Sequence, residues 1–253
     1  MTTILDTRQA PLRVELYFSY LPTVIEDSAL YVCSNHPELW DGDTLVESQY
    51  VLSDTQFGSH PVVKLYGTIA ETFCRWKERG IRFPKKQPWL PTADTDQRMR
   101  TFRRRVGEGG LHVFGERKLI PFSVPQTEPL VVIHFGGSSK FLSQYRKLTN
   151  EIKHKLGMKT AQTGKYELME PDLGCSFDLR NCTTVDQWCS FLHHVVAVVT
   201  DSETAATAAV CSGTPVLMSI PPRELDSDLV WRLNDRDDIV DLLRKVRKWR
   251  QMG

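Results

Sequence analysis

The spacing of apolar positions in this chain changes along its length. Near the start, runs rich in β-branched and aromatic residues at 14–18, 29–33 and 44–52 are punctuated by Pro22, Asn35, Pro37 and Gly42, a pattern that predicts strands joined by turns. From Pro61 the period lengthens. Val62, Leu65, Ile69, Phe73 and Trp76 fall on one helical face, and Gly80 closes the helix they predict. Pro84, Pro88 and Pro91 then preclude regular structure, after which residues 92–106 read as a second helix capped by Thr92 or Asp94. The densest cluster of breakers runs through Gly107, Gly109, Gly110, Gly115, Pro121, Pro125 and Pro129. It predicts a junction between two lobes, residues 1–125 and 126–253.

Beyond Pro129 the pattern is regular. Residues 130–135 form a short continuous apolar run, as in a strand buried on both faces. Phe141, Leu142, Tyr145, Leu148, Ile152 and Leu156 define one side of a helix, with Gly157 at its C′ position. Short strands at 159–163 and 176–179, a helix at 184–193, a strand at 195–200, a helix at 203–211 ended by Gly213 and a strand at 215–220 follow. Alternating strand and helix select an α/β fold with a doubly wound parallel sheet. A last helix presents Ile239, Leu242, Leu243, Val246 and Trp249 on its apolar face. The chain has no internal repeat and no low-complexity segment.

Composition narrows the class. A chain of 253 residues with 41% hydrophobic and 25% charged residues and a net charge of +1 is an ordinary globular protein with room for two lobes. The longest apolar run, residues 195–199, is too short to span a bilayer, and no leader pattern opens the chain, so a cytoplasmic location is expected. None of the six cysteines forms a Cys-x-x-Cys pair, and no histidine spacing completes a metal site around Cys175, Cys182 and Cys189. They read as reduced, buried thiols. Basic stretches at 98–105 and 244–250 are interleaved with Phe102 and Trp249, as surfaces that contact nucleic acid can be. The near-zero net charge favours solvated helix faces instead.

Two loops carry candidate chemistry. The first is His134-Phe135-Gly136-Gly137-Ser138-Ser139-Lys140, between a buried strand and its helix. The carboxyl end of a strand is where open α/β sheets bind ligands. Gly136 and Gly137 allow close backbone approach, Ser138, Ser139 and the helix N-terminus offer donors, and Lys140 supplies a point charge for a phosphate. A simple tight turn is the bland alternative, since the spacing is neither that of a P-loop nor of the dinucleotide fingerprint. The second is Thr200-Asp201-Ser202-Glu203-Thr204, again after a strand and opening a helix of small residues at 205–209. Asp201 or Ser202 either caps that helix or, with the neighbouring hydroxyls, grips a ribose, a sugar or a pyrophosphate.

In order and spacing, these pieces resemble the C-terminal half of GT-B glycosyltransferases, most closely the heptosyltransferase-like family 9. That family's pattern is an apolar strand ending in His-Pro-Gly-Ala-Ser with a lysine nearby, then Leu-x-Gly-x-Thr-Ser-hydrophobic-x-Glu. An apolar strand ending in Thr-Asn-Asp-Ser-Gly, a His-bearing helix of alanines, whose histidine falls near Ala206 or Thr207 here, and Gly-Thr-Pro-Val follow. The corresponding pieces here are His134-Phe135-Gly136-Gly137-Ser138, Leu179-Arg180-Asn181-Cys182-Thr183-Thr184-Val185-Asp186, Val198-Val199-Thr200-Asp201-Ser202 and Gly213-Thr214-Pro215-Val216. The family's glycine after Asp-Ser is Glu203 here, and the usual Gly-Asp loop near the start, which carries the family's catalytic aspartate, has no counterpart.

The resemblance implies two Rossmann-like lobes, the first reduced, with a C-terminal helix returning to the first lobe. It implies transfer of a sugar from a nucleotide-sugar donor to an acceptor hydroxyl without metal or other cofactor. Ser138, Ser139 and Lys140 would hold the diphosphate and Asp201, Ser202 and Thr204 the sugar or ribose, with Gly136, Gly137, Thr183 and Glu203 completing the donor-binding set. The acceptor would be a saccharide or, on the other reading of the basic stretches, a nucleic acid. Asp41, Asp43 and His60 lie in polar turns where a side chain could take a proton from that acceptor, and where turn residues are common in any case. The missing Gly-Asp loop and Glu203 support an alternative, a binding module that retains the nucleotide pocket without the chemistry. A nucleotide-sugar epimerase of the same architecture is a third reading.

Overall fold

The computed structural model of the chain describes residues 2–19, 21, 25, 29–36, 39–40, 57–81, 111–112, 121–122, 129–137, 139–164, 172–180, 185–225, 227–233 and 239–252. The chain divides into two compact units, Met1–Arg103 and Arg104–Gly253. The strand expected at 44–52, the helix expected at 92–106 and the junction expected at 125–126 all lie outside the described residues. Among the described residues, no helix is long and apolar enough to cross a membrane.

The first unit holds a three-stranded parallel sheet of order β2-β1-β3, from β1 (Thr2–Asp6), β2 (Ala29–Cys33) and β3 (Val62–Lys64). β1 was not anticipated, yet it is the central strand. Its Leu5 packs with Val14, Phe18 and Leu21 from the segment that follows. That segment contains helix α1 (Leu12–Tyr17) where a strand was expected at 14–18. The i, i+4 pair Val14 and Phe18 explains the difference: a parallel crossover from β1 to β2 favours a helix over the local β propensity of these residues.

A second difference concerns Val62 and Leu65. Both belong to β3 and its exit, and helix α2 (Ile69–Glu78) starts only at Thr68, whose hydroxyl accepts the Glu71 N–H at 3.0 Å. Thr68-x-x-Glu71 has the sequence of a capping box, a start signal that the seven-residue spacing of Val62, Ile69 and Trp76 obscured. Trp76 closes the unit by donating its indole N–H to the Lys64 carbonyl at 2.8 Å.

Between the regular parts of the chain lies a short antiparallel pair, β4 (Leu111–His112) and β5 (Pro121–Phe122). The second unit is then a six-stranded sheet of order β11-β10-β9-β6-β7-β8, parallel throughout. Its strands are β6 (Leu130–His134), β7 (Lys159–Thr163), β8 (Phe177–Asp178), β9 (Ala197–Thr200), β10 (Val216–Met218) and β11 (Val230–Arg232). Within this sheet, β11 is the strand that the sequence pattern missed.

Among the described residues of this unit four helices accompany the sheet: α3 (Ser139–Glu151), α4 (Val185–His193), α5 (Glu203–Cys211) and α6 (Ile239–Met252). α3 continues into a π-helical turn, Ile152–Leu156, which Gly157 ends in a left-handed conformation at φ 61°. One cluster joins Val131, Ile133, Ala197, Val199 and Leu217 of the sheet to Tyr145, Leu148 and Ile152 and to Leu243 and Val246 of α6. α5 packs against β9, β10 and α4. Its Ala205, Ala206, Thr207, Ala208, Ala209 and Val210 are all buried, as small side chains on a closely packed helix must be. Of the cysteines, Cys33 is buried but Cys74 is exposed, a departure from the expected burial: it lies on the polar side of α2.

Candidate functional site

β6 and β9 are neighbours in the second sheet, but the chain leaves them in opposite directions, toward β7 and β8 on one side and toward β10 and β11 on the other. This is a topological switch point, where the connections diverge and open a crevice at the carboxyl ends of the strands. Both loops singled out in the sequence emerge here. The sheet register sets His134 opposite Thr200, so the two loops start level with each other.

They are joined by a hydrogen bond. The Gly136 N–H donates to Asp201 Oδ1 at 2.6 Å, and the Tyr145 hydroxyl, from α3, donates to the same oxygen at 3.1 Å. A methyl group on Gly136 would lie 2.8 Å from the Ser202 nitrogen and 3.0 Å from the Asp201 carbonyl carbon. The absence of a side chain at 136 thus serves the contact between loops. Gly137 has a different reason to be glycine: its φ is +96°, and the space beside it is open.

Asp201 is not the helix cap. That role belongs to Ser202, whose hydroxyl accepts the Ala205 N–H at 3.3 Å, while the Ser202 N–H donates to Thr200 Oγ1 at 2.9 Å. Glu203 and Thr204 form the first turn of α5, Glu203 exposed and Thr204 half-buried. The N-terminus of α5 therefore opens onto the crevice with its first turn ordered. A helix N-terminus in this position attracts anions.

The groups around Asp201 are tuned to stay neutral. Burial, the Asp201 charge and the hydrogen bond to Asp201 all push the Tyr145 hydroxyl well above the usual phenol range, so it remains a donor. His134, at the end of β6, has its Nδ1 3.0 Å from Thr163 Oγ1 and its ring 5.3 Å from that of Trp188. Burial pushes its pKa down to about 4, against the opposing pull of Asp201. At neutral pH it is an uncharged hydrogen-bonding group, so positive charge for a diphosphate must come from elsewhere. The Trp188 indole nitrogen is buried with no hydrogen-bond partner among the described residues.

The structure thus brings Gly136, Gly137, Asp201, Ser202, Glu203 and Thr204 to one crevice. Ser139 and Lys140 open helix α3 at its edge, whereas Ser138 and Thr183 lie outside the described residues. Among the candidate bases, Asp41 and Asp43 also lie outside them. His60 is exposed in the turn before β3, its N–H donating to the Phe57 carbonyl at 3.1 Å. Tyr145 and Thr163 were missed as site residues, and His134, though it opens the first candidate loop, was given no role there. Tyr145 had the helical spacing of a core position, which it also fills, and nothing in its sequence neighbourhood marks the hydroxyl contact with Asp201.

No sequence-family model matches the chain, and no curated protein matches it in sequence. Solved structures do match in fold. A family 9 glycosyl transferase from Veillonella parvula DSM 2008 superposes with a TM-score of 0.57 at 10% identity, over 99% of this chain and 96% of that one. The E. coli ADP-heptose LPS heptosyltransferase II does so with a TM-score of 0.52 at 9% identity, over 99% of this chain and 100% of the other. The iron-containing dodecameric glycosyltransferase TibC from enterotoxigenic E. coli H10407 gives 0.52 at 10% identity, over 93% of this chain and 65% of that one. The class these define is the α/β fold of GT-B glycosyltransferases. Within that class the architecture is the heptosyltransferase-like one of family 9.

Proposed function

We propose that the chain is a glycosyltransferase that moves a sugar from a nucleotide-sugar donor to an acceptor hydroxyl. The observation that carries this reading is the switch-point crevice of the second unit, where the Asp201 carboxylate ties the Gly136 loop to the opening of α5. The tie fixes the backbone of both loops, and a fixed set of dipoles is what stabilises charge developing on a departing diphosphate. Ser138, Ser139 and Lys140 hold the diphosphate on this reading, and Ser202 and Thr204 the sugar or ribose, with Gly136, Gly137, Thr183 and Glu203 lining the same place. Asp201 acts chiefly by holding the loops. With a lysine and a helix N-terminus present, the reaction requires no metal. A saccharide is the favoured acceptor.

A solved relative in fold is described in complex with ADP-D-β-D-heptose, which makes ADP-heptose the first donor to test, beside UDP-glucose and GDP-mannose. Calorimetry with ADP, UDP and GDP, followed by measurement of nucleoside diphosphate released from each donor, tests the reading. Saturable binding with release of the diphosphate is expected. Lys140→Ala should weaken diphosphate binding by about 1.5 to 3 kcal/mol, as loss of a charged hydrogen bond does. Binding without release from any donor identifies a nucleotide-binding module instead, and no binding at all removes the crevice from consideration.

A further inference from the structure

A polar group taken out of water is normally given a partner by the chain. Glu15, on α1 of the first unit, is 0% exposed and receives four donors: the Thr7 hydroxyl at 2.8 Å, the Ser34 hydroxyl, the Trp40 indole N–H at 3.3 Å and His36 Nδ1 at 2.7 Å. The Trp76 indole likewise finds the Lys64 carbonyl. The Trp188 indole N–H breaks this habit, being buried without an acceptor among the described residues. A second such indole, Trp231 on β11, lies three strands from β6 and packs against the cluster that includes α6. Trp188 instead adjoins the crevice.

Trp188 stands in the first turn of α4, and its ring lies against that of His134 at the end of β6. Val131 and Ile133 pack toward α3 and α6, so alternation along the strand turns His134 to the sheet's other face. α5 packs on α4, and the loop at 201–204 opens on this face as well. The Thr163 hydroxyl is buried, with His134 Nδ1 as its partner at 3.0 Å. A hydroxyl hydrogen needs an acceptor, so Thr163 donates to Nδ1 and the neutral imidazole carries its own hydrogen on Nε2. Among the described residues no hydrogen bond engages Nε2. Two uncharged donors therefore stand side by side without an acceptor, a cost that a bound ligand can remove.

Charge and valence select the acceptor. The Asp201 carboxylate acts on His134, so an anion placed against these neutral donors meets repulsion. A hydroxyl brings a hydrogen that needs an acceptor of its own, and a ring nitrogen has a single lone pair for two donors. A carbonyl oxygen has two lone pairs and no hydrogen. In a nucleotide, carbonyl oxygens belong to the base.

We infer that His134 and Trp188 form the subsite for the base of the nucleotide, and that this base carries a carbonyl, as uracil and guanine do and adenine does not; this rests on the nucleotide-sugar reading above and on residues of the second unit alone. Trp188 Nε1–H and His134 Nε2–H both donate to the base, while Thr163 holds the imidazole in the tautomer that can donate. UDP- and GDP-sugars then rank above ADP-heptose as donors.

Calorimetry with UDP, GDP and ADP on wild type, His134→Phe and Trp188→Phe tests the assignment. UDP or GDP should bind wild type about 10- to 100-fold more tightly than ADP. Each variant removes a donor and keeps an aromatic ring, and should weaken the preferred diphosphate by about tenfold while leaving ADP unchanged. In proton spectra, the His134 Nε2 and Trp188 Nε1 hydrogens, assigned from the two variants, should move downfield with the preferred diphosphate and stay in place with ADP. Trp188→Phe deletes a donor that has no partner in the folded chain, so it carries the test if His134→Phe does not fold. Equal affinity for the three diphosphates, tightest binding of ADP, or variants that weaken all three alike overturns the base assignment alone. A wild type that binds none of them removes the nucleotide-sugar reading, and the assignment falls with it.

Discussion

The loops at the switch point of the second sheet and those after the central strands of the first hold their carboxylates in different ways. At the switch point of the second unit one half-buried carboxylate, Asp201, binds a backbone amide and a neutral phenol and His134 is held uncharged, while a direct ion pair, Asp178 with Arg180 at 2.6 Å, stands at the end of the outer strand β8. In the first unit ionisable side chains meet directly: Asp6 with Arg8 at 2.8 Å and Lys64 at 3.6 Å, and Glu15 with His36. An edge built on backbone contacts has a fixed shape and few groups that titrate near neutrality, which suits the holding of a charged ligand. An edge built on side-chain pairs commits more solvation energy.

The largest effect expected from this contrast is at Glu15. Glu15→Gln turns an amide donor toward at least one of four donors, and should lower unfolding free energy by about 3 to 5 kcal/mol, as breaking a buried charged network does. Urea denaturation checks it, and a loss under 1 kcal/mol would mean that the cluster is hydrated and the contrast overstated.

Next comes His134. Its folded pKa of about 4 lies below the ordinary value of 6.5, so the unfolded chain binds the proton more readily between these values. Stability from this group is fully present above the ordinary value and is lost as pH falls toward the folded one, by up to about 3 kcal/mol. His134→Gln should flatten the dependence of unfolding midpoint on pH between 6.5 and 4; an unchanged slope would show that the second unit's edge is not kept neutral by His134.

Asp201 gives a smaller number. Asp201→Ala leaves the Gly136 amide and the Tyr145 hydroxyl without their shared acceptor, at a cost of about 2 kcal/mol, whereas Asp201→Asn retains an acceptor oxygen and should cost about 0.5 kcal/mol. Equal losses in the two variants would make the charge, not the hydrogen bonds, the source of the tie. Tyr145→Phe should cost about 1 kcal/mol with little change in nucleotide affinity, since the phenol reaches Asp201 from a buried position in the core.

How far the sequence discloses each edge follows from the same contrast. The second unit was legible because its pieces are local: an apolar strand, a glycine loop, a helix start, repeated in order. β6, β7 and the helices at 139–151, 185–193 and 203–211 lie where the pattern placed them, within a few residues. The strand order, and with it the switch point between β6 and β9, came only with the structure. In the first unit the deciding contacts span 21 residues from Glu15 to His36 and require β1, whose five residues carry too short a pattern to be recognised. Helix α1 was obscured because Val14, Leu16 and Phe18 satisfy the alternation of a strand as well as the stripe of a helix. Asp201 was identified as a residue of interest, but its partner Gly136 lies 65 positions away, and only the pairing of β6 with β9 brings them together.

Gly136 and Gly137 also differ in how they can vary over evolutionary time. Glycine is the only amino acid without a Cβ, so every missense change at codon 136 places a carbon against the Ser202 amide. Codon 137 is more permissive: its restriction is the positive φ, which asparagine and aspartate also adopt, and nothing nearby excludes their bulk. In a population of diverging sequences, position 136 should therefore stay invariant while 137 drifts among glycine, asparagine and aspartate.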